Sequence, residues 1–250
     1  MKKFWAAIGF FTRIPVWRFV DIPSDKYKRV VDLWPLAGWI TGGLTALVLW
    51  GALYVLPPFA AVVLAYASRL IFTGALHEDG LADFIDGMGG GTNKERILAI
   101  MKDSHIGSYG VIGLIIYFLL LTSLVASLPT TIAPLAVLAA DTWGKFCGSL
   151  IVDFLPYART AEQAKNKLVY DPSSLPVILL AFIFGILPTF LLPLPYLLVL
   201  ILPAIIGVLM LVYLRHKIGG YTGDCCGASA LLCELAFLLS TVLISQITLL

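Results

Sequence analysis

The stretch PSSLPVILLAFIFGILPTFLLPLPYLLVLILPAIIGVLMLVYL, residues 172–214, contains no charged side chain. A helix needs about 20 apolar residues to cross the roughly 30 Å hydrocarbon core of a bilayer, and this stretch is about twice that length. Pro193 and Pro195 stand near its middle, where the proline ring and the missing N–H end a helix. The stretch therefore predicts two membrane-spanning helices joined by a short turn.

Two further uncharged runs have the same design. Residues 33–68 break at Pro57-Pro58, and residues 104–140, with His105 neutral, break at Pro129. The chain of 250 residues is 60% hydrophobic and only 13% charged, whereas soluble domains are about 25% charged. We expect an all-α integral membrane protein, a polytopic bundle of about seven transmembrane helices in a single domain over residues 1–250. The predicted spans are about 34–56, 59–76, 108–128, 131–152, 174–192, 196–214 and 229–249.

The segment before the first span, residues 1–20, is apolar but carries two arginines and a proline. It is too short and too charged to span the membrane. It also has no small-residue cleavage site after its apolar part, so we do not expect a removed signal peptide. An interfacial N-terminal helix fits better, with Phe4, Trp5, Phe10 and Phe11 at the lipid boundary.

Positive charge is confined to one side of this topology. Of the 17 Lys and Arg, only Arg69 and Lys145 fall within predicted spans, and the three proline turns carry none. The positive-inside rule then places the N-terminus and every charged loop in the cytoplasm. An enzyme acting on cytosolic substrates needs polar groups on one face, whereas a transporter needs access from both faces. The pattern favours a catalytic membrane domain, with the lipid bilayer as a partner and no nucleic acid.

The four cysteines are Cys147, Cys225, Cys226 and Cys233. They show neither CxxC spacing nor the Cys/His pairing of zinc sites. Adjacent cysteines cannot easily close a disulfide on themselves. We therefore expect structural free thiols.

The densest polar feature, residues 74–91, follows the second predicted span. Four acids fall within nine residues there, namely Glu78, Asp79, Asp83 and Asp86. In a helix the three aspartates stand at i, i+4 and i+7 on one face, where they repel one another unless a cation compensates. Mg²⁺, which takes carboxylates together with substrate phosphates, is the usual compensation. A solvated acidic face is the alternative, and the flanking His77 and the glycine run that follows argue against it.

Two further polar stretches are predicted to share the cytoplasmic face with this acidic motif. In residues 95–110, Lys102, Ser104 and the exposed N–H groups of a helix start are suited to a diphosphate. Flanking charge plus a helix cap explains that segment equally well. In residues 215–228, Thr222 offers a hydroxyl and Asp224 a carboxylate that would complete a metal site.

Ionic side chains inside the predicted spans need partners. Asp141 and Lys145 stand at i and i+4, and mutual neutralisation explains them. Arg69 is expected to face the interior, where it either pairs with an acid or reaches a phosphate. Glu234 is either structural or substrate-facing.

Taken together, these motifs resemble the cobalamin synthase family, also called adenosylcobinamide-GDP ribazoletransferases. Each segment is weak alone, but the ordered set is specific and covers nearly the whole chain. The segments are Thr12-Arg-Ile-Pro15, Pro35-Leu-Ala-Gly38, Gly74 to Gly91, Ile100 to Gly110, Leu155-Pro-Tyr-Ala-Arg159 and Gly219-Gly-Tyr-Thr-Gly-Asp224. The family pattern has an arginine where His105 stands, so a phosphate contact at that position would be weaker and pH-dependent here.

The resemblance implies a Mg²⁺-dependent enzyme of the bacterial plasma membrane that uses adenosylcobinamide-GDP and α-ribazole or its 5′-phosphate. A ribose hydroxyl of the nucleoside attacks the phosphorus on the aminopropanol arm, GMP departs, and adenosylcobalamin or its phosphate forms. Such a displacement depends mainly on positioning and on charge neutralisation. The oligomeric state, including a homo-oligomer, is left open.

The resemblance and the residue chemistry together assign candidate roles. The predicted metal ligands are Glu78, Asp79, Asp83, Asp86 and Asp224. His77 is the candidate base for the attacking hydroxyl, and Asp83 is also counted as catalytic. The predicted substrate contacts are Arg13, Arg69, Lys102, Ser104, Arg159 and Thr222.

Two other functions compete with this one. A CDP-alcohol phosphotransferase also stacks aspartates at the membrane edge, and Asp79-Gly-Leu-Ala-Asp83 resembles the start of its motif, but the rest of that motif is missing. A transporter of a corrinoid or phosphorylated solute would need a hydrophilic path to the far side. The far-side turns are short, uncharged and proline-rich, which argues against a transporter.

Overall fold

A computed structural model describes residues 1–160 and 168–248, and over these residues the protein is all-helical, as predicted. The α-helices are α1 (Lys2–Phe11), α2 (Trp34–Ala52), α3 (Pro58–Thr73), α4 (Leu76–Gly90), α5 (Lys94–Lys102), α6 (Ser108–Ala126), α7 (Ala133–Phe154), α8 (Leu175–Ile186), α9 (Ile201–Ile218) and α10 (Gly223–Thr248). Short 3₁₀ segments occur at Val16–Arg18, Ser24–Leu33, Leu187–Leu191 and Leu194–Leu200. Lys165 and Lys167, two of the predicted cytoplasmic loop charges, lie outside the described residues.

The three uncharged runs form the predicted helical hairpins. Pro57 ends the α2–α3 turn, Pro129 lies between α6 and α7, and Pro193 separates the two 3₁₀ segments between α8 and α9. Proline also stands in the first turn of α2, α3, α7 and α8, where its missing N–H costs nothing. Each hairpin returns to the side on which it starts, so the segments between hairpins gather at one end of the bundle. We call this the charged end; it carries residues 90–107, 153–160 and 215–224.

The number of spans differs from the prediction. Five helical segments are long and apolar enough to cross a membrane, and a sixth arises if α3 and α4 count as one broken span. The predicted spans 59–76 and 174–192 correspond to α3, of 16 residues, and to the apolar helical segment Leu175–Leu191, in which α8 continues into a 3₁₀ segment. Both segments are shorter than the about 20 residues that a span usually needs. A count of seven is therefore not confirmed.

The acidic motif forms a helix of its own instead of extending α3. Gly74 and Ala75 both adopt left-handed backbone conformations, with φ of 73° and 56°. Glycine takes this conformation at no steric cost, whereas alanine loses about 1–2 kcal/mol. The two residues turn the chain by 93° between α3 and α4. The acidic helix thus runs almost perpendicular to the helix before it.

Helices α7 and α10 form the centre of the bundle. Within their membrane-span segments, 83% and 67% of the residues are buried, against 28% in α6. Small residues permit close contact, because a Cβ on Gly144 of α7 would lie 2.6 Å from the carbonyl oxygen of Ala230. α10 begins at Gly223 rather than near residue 229, since the glycines and cysteines of the third polar stretch pack as a helical turn. All four cysteines are free and buried, as predicted.

The predicted N-terminal helix is present as α1, but Phe11 does not face lipid. Phe11 is buried and stacks on Trp34, with ring centroids 5.3 Å apart. Phe10 contacts the ring of Tyr170, with centroids 6.3 Å apart. The predicted lipid contact of Phe11 is therefore wrong, because this end of α1 packs into the protein, whereas Phe10 is half-buried. Trp5 remains partly exposed.

Candidate active site

Two helix N-termini meet at the charged end, and both belong to polar motifs of the sequence. α4 starts with Leu76 to Asp79, and α10 starts with Gly223 and Asp224. The helices approach closely because Gly80 has no side chain; a Cβ there would lie 3.2 Å from both Cα and O of Asp224. The predicted proximity of the third polar stretch to the acidic motif is confirmed.

A cavity of about 250 Å³ lies at this junction. Its ionisable lining consists of His77, Asp79, Arg159, Asp224 and Cys226, together with two tyrosines. Its aromatic side chains are Phe10, Phe11, Trp34, Tyr157 and Tyr170. Pockets that combine apolar walls with a few convergent polar groups are typical of small-molecule sites.

Arg159 reaches the cavity from a short loop after α7 that is held by backbone pairing. The Tyr221 N–H donates to the Pro156 carbonyl at 3.0 Å. Gly220 permits this approach, because a Cβ there would lie 2.2 Å from the same carbonyl oxygen. The guanidinium donates to the Leu98 carbonyl at 2.8 Å, which fixes it beside the cavity. Two distant sequence motifs thus place one cation at the site.

The cavity combines groups that attract anions with groups that attract cations. Unpaired N–H groups give helix N-termini a partial positive charge, and the starts of α4 and α10 line the same space as the Arg159 guanidinium. Asp79 and Asp224 add two carboxylates. A phosphate with a bridging divalent cation satisfies both kinds of group. Burial raises the pKa of the Tyr157 and Tyr170 phenols, so both stay neutral at physiological pH.

His77 is buried in an aromatic stack rather than free to act on a ligand. Its ring lies 5.3 Å from the Trp34 ring and 6.0 Å from the Phe11 ring, centroid to centroid. The Trp34 indole N–H donates to His77 Nε2 at 3.2 Å, which assigns the imidazole proton to Nδ1. A ring that keeps this hydrogen bond has no lone pair for a substrate hydroxyl. The geometry therefore favours a positioning role over the predicted role as base.

Asp86 contacts the start of α6. Its Oδ2 accepts the Gly107 N–H at 2.7 Å and its Oδ1 accepts the Gly110 N–H at 2.8 Å, so the carboxylate caps the start of α6. The side chain is buried. Both carboxylate oxygens of Asp86 are therefore engaged by the start of α6, and its role as a metal ligand beside Asp79 stays a prediction. Within residues 1–160 and 168–248, no group of three or more His, Cys, Asp or Glu is arranged to hold a metal ion.

Arg69 is the centre of a buried ionic cluster. It donates to Glu234 at 2.5 Å, to Glu78 at 3.3 Å and to Asp141 at 3.4 Å, and Lys145 pairs with Asp141 as predicted. The expected pairing of Arg69 with an acid is confirmed, and Glu234 is one of its partners. The predicted substrate contact of Arg69 stays a prediction. Glu78 Oε2 is buried with no hydrogen-bond partner among the described residues. Its assignment as a metal ligand stays a prediction.

Three predicted phosphate contacts are not among the residues that line the cavity. Arg13 is exposed beside the α3–α4 turn, Lys102 is exposed at the end of α5, and Ser104 is exposed between α5 and α6. His105, which stands where the family pattern has arginine, is exposed and hydrogen-bonds Asp103 through its ring at 2.7 Å. The second polar stretch thus reaches the cavity only indirectly among the described residues, through the Leu98 carbonyl that holds Arg159.

The last two predicted residues lie next to the cavity without lining it. The buried Thr222 hydroxyl donates to the Asp224 carboxylate at 3.3 Å and so positions that acid, while its substrate contact stays a prediction. Asp83 is partly buried one turn beyond Asp79 on α4. Its catalytic and metal-binding roles stay predictions.

Sequence reasoning missed the aromatic part of the site. Trp34 and Tyr157 line the cavity, and both stand within or beside motifs that carry the family resemblance. Aromatic residues at the ends of membrane helices are usually interfacial anchors. For that reason the sequence does not distinguish Trp34 and Tyr157 as cavity residues. Tyr170 has no sequence signal that distinguishes it.

These features define a membrane-embedded helical enzyme with its polar site at one end of the bundle. The chain belongs to the cobalamin-5-phosphate synthase family, whose profile matches residues 3–242. A relative from Shewanella sp. (strain W3-18-1), named adenosylcobinamide-GDP ribazoletransferase, is 36% identical over 248 residues, covering 98% of this chain and 95% of the relative. A protein of the same name from Shewanella oneidensis is 35% identical over 237 residues, covering 93% and 90%. No solved structure matches the chain.

Proposed function

We propose that this protein is an adenosylcobinamide-GDP ribazoletransferase, which joins α-ribazole or its 5′-phosphate to adenosylcobinamide-GDP. Family membership and the names of the relatives support the reaction. One observation carries the location of the site: the N-termini of α4 and α10 meet Arg159, Asp79 and Asp224 at a single cavity. This arrangement suits a diphosphate with a bridging divalent cation.

The proposed reaction is a displacement at phosphorus. A ribose hydroxyl of α-ribazole forms an O–P bond to the phosphorus on the aminopropanol arm while the P–O bond to GMP breaks, and the hydroxyl proton is released to solvent water. Arg159 and the two helix N-termini offset the negative charge of the diphosphate and of the leaving GMP. The neutral phenols of Tyr157 and Tyr170 are hydroxyl donors at the same wall.

We infer that Mg²⁺ assists the reaction. The chemistry of the donor set fits this ion, because Mg²⁺ is commonly held by one or two carboxylates plus substrate phosphates, and Asp79 and Asp224 line the cavity. Bound Mg²⁺ would neutralise charge on the diphosphate. Thr222 supports this use of Asp224 by holding its carboxylate.

The size of the cavity limits what it holds. At about 250 Å³ it lies just below the roughly 300–1,000 Å³ of typical ligand pockets, so it suits a nucleoside moiety and not a corrinoid ring. The aromatic wall is a stacking surface for a base. The corrinoid would then rest outside the cavity, at the charged end of the bundle.

We propose further that the charged end faces the cytoplasm of a bacterial cell and that the protein resides in the inner membrane. The basic residues before residue 30 and those between the hairpins support this orientation through the positive-inside rule. Soluble substrates would then reach the cavity directly.

The test is GMP release by purified protein in liposomes from adenosylcobinamide-GDP and α-ribazole 5′-phosphate, with and without Mg²⁺. We expect metal-dependent release and a cobalamin product, lowered at least a hundredfold in Asp79→Asn and Asp224→Asn. Asp103→Asn is the matched control, because that exposed carboxylate hydrogen-bonds its neighbour His105 and does not line the cavity. Full activity in both cavity variants would remove the proposed site, and solute flux without GMP formation would favour a transporter.

A further inference from the structure

A second, apolar groove runs along the outside of the bundle. Its volume is about 940 Å³. Leu120 and Leu124 of α6 form one wall, Leu202 to His216 of α9 form the other, and α10 forms the floor with side chains that include Leu235 and Leu239. None of its lining residues is acidic.

The groove has the length and the surface of an acyl-chain site. From Leu202 to His216 the α9 wall extends roughly 21 Å at 1.5 Å per residue, more than the ~15 Å half-thickness of the hydrocarbon core. Leu209 and Val212 are 55% and 63% exposed, and Leu120 is 47% exposed. Such side chains are apolar enough to contact lipid and open enough to be reached by it.

The charged end of the groove is basic. His216 lines the groove, and the Lys217 ammonium lies 5.9 Å from the centre of the Tyr213 ring, itself a lining residue. Arg215 is exposed beside them at the end of α9. Consecutive basic residues at the end of a spanning helix attract anionic lipid headgroups. The charge thus stands where a headgroup would be if an acyl chain filled the groove.

We propose that this groove binds one anionic phospholipid, with an acyl chain between α6 and α9 and the phosphate beside His216 and Lys217. One end of the groove is positively charged and the rest of its lining is apolar. This combination favours a lipid over a soluble ligand.

The lipid would also touch the helix that carries the acidic motif. Phe84 of α4 lines the groove, and its ring lies 6.4 Å from the Tyr213 ring, centroid to centroid. Asp79 lies on the same helix. A bound lipid would therefore pack against α4 and restrict the movement of the helix that carries Asp79. This consequence rests on the proposed function, whereas the lipid binding does not.

Native mass spectrometry of the full chain in detergent, titrated with phosphatidylglycerol or phosphatidylcholine of identical acyl chains, tests the binding. We expect one phosphatidylglycerol to be retained more tightly than phosphatidylcholine. The preference should fall about fivefold for each positive charge removed in Arg215→Gln and Lys217→Gln.

Two tryptophan variants on α10 provide a matched pair. Leu239→Trp fills the groove and should abolish the tightly held lipid, whereas Leu243→Trp, on the same helix but outside the groove, should retain it. Equal retention of both lipids, or retention in Leu239→Trp, would overturn the proposal. A dimer that Leu239→Trp dissociates would show instead that a second copy covers the groove. Because binding is read without turnover, an inactive protein would not affect the result.

Discussion

A carboxylate in the acidic motif takes its role from the groups around it. The i, i+4, i+7 spacing predicts one shared face, and the motif is indeed helical. Yet Asp79 is exposed at the cavity, Glu78 is buried against Arg69, and Asp86 caps α6. Spacing along a helix fixes direction, but the packed neighbours decide whether a carboxylate binds a cation, an arginine or backbone N–H groups.

The difference between Asp86 and Asp79 is measurable. Asp86→Ala leaves the N–H groups of Gly107 and Gly110 without their acceptor, so we expect the free energy of unfolding to fall by about 1–2 kcal/mol. Asp79→Ala should leave the free energy of unfolding nearly unchanged, because Asp79 is exposed. It should remove GMP release, because Asp79 lines the cavity. Thermal unfolding in detergent and the activity assay separate the two effects. An Asp86→Ala protein of native stability and no activity would support Asp86 as a metal ligand.

Among the helices, the contact between α4 and α10 determines the site. Gly80 lets the Asp224 backbone approach, and Gly227 does the same for His77, where a Cβ would lie 3.3 Å from Cα. We expect Gly80→Ala to displace α4 by a few tenths of an ångström and to lower kcat/KM on the order of tenfold.

Gly43→Ala is the control for this change, because a Cβ at Gly43 meets nothing within 4 Å. It should leave activity intact and raise stability by about 0.5–1 kcal/mol. Equal activities in the two alanine variants would show that the α4–α10 contact does not set the position of the cavity groups.

For the molecule as a whole, the sequence predicts what depends on hydropathy and charge. The hairpins, their proline turns and the helical acidic motif all follow from the length of uncharged runs and the position of breaks. The 93° bend depends on Ala75 adopting a left-handed conformation, which alanine disfavours. The local sequence therefore does not predict the bend. The aromatic wall likewise requires α1, α2 and the loop after α7 to converge. These features arise from tertiary packing and not from any one segment.

The orientation of the whole molecule gives the last prediction. The four native cysteines are buried, so an introduced exposed cysteine should be the main target of a membrane-impermeant maleimide. Ser104 is exposed at the charged end and Ser127 at the proline-turn end. If the charged end is cytoplasmic, Ser127→Cys should be labelled from the periplasmic side, and Ser104→Cys only after the inner membrane is opened.

The unsubstituted protein measures background labelling, and labelling of denatured samples normalises for expression. The reverse pattern, with Ser104→Cys reached first, would place the cavity on the periplasmic side. That outcome would contradict the positive-inside argument, because the basic residues between the hairpins would then have crossed the membrane. It would also separate the cavity from substrates made in the cytoplasm. The same labelling result therefore tests both the proposed orientation and direct access to those substrates.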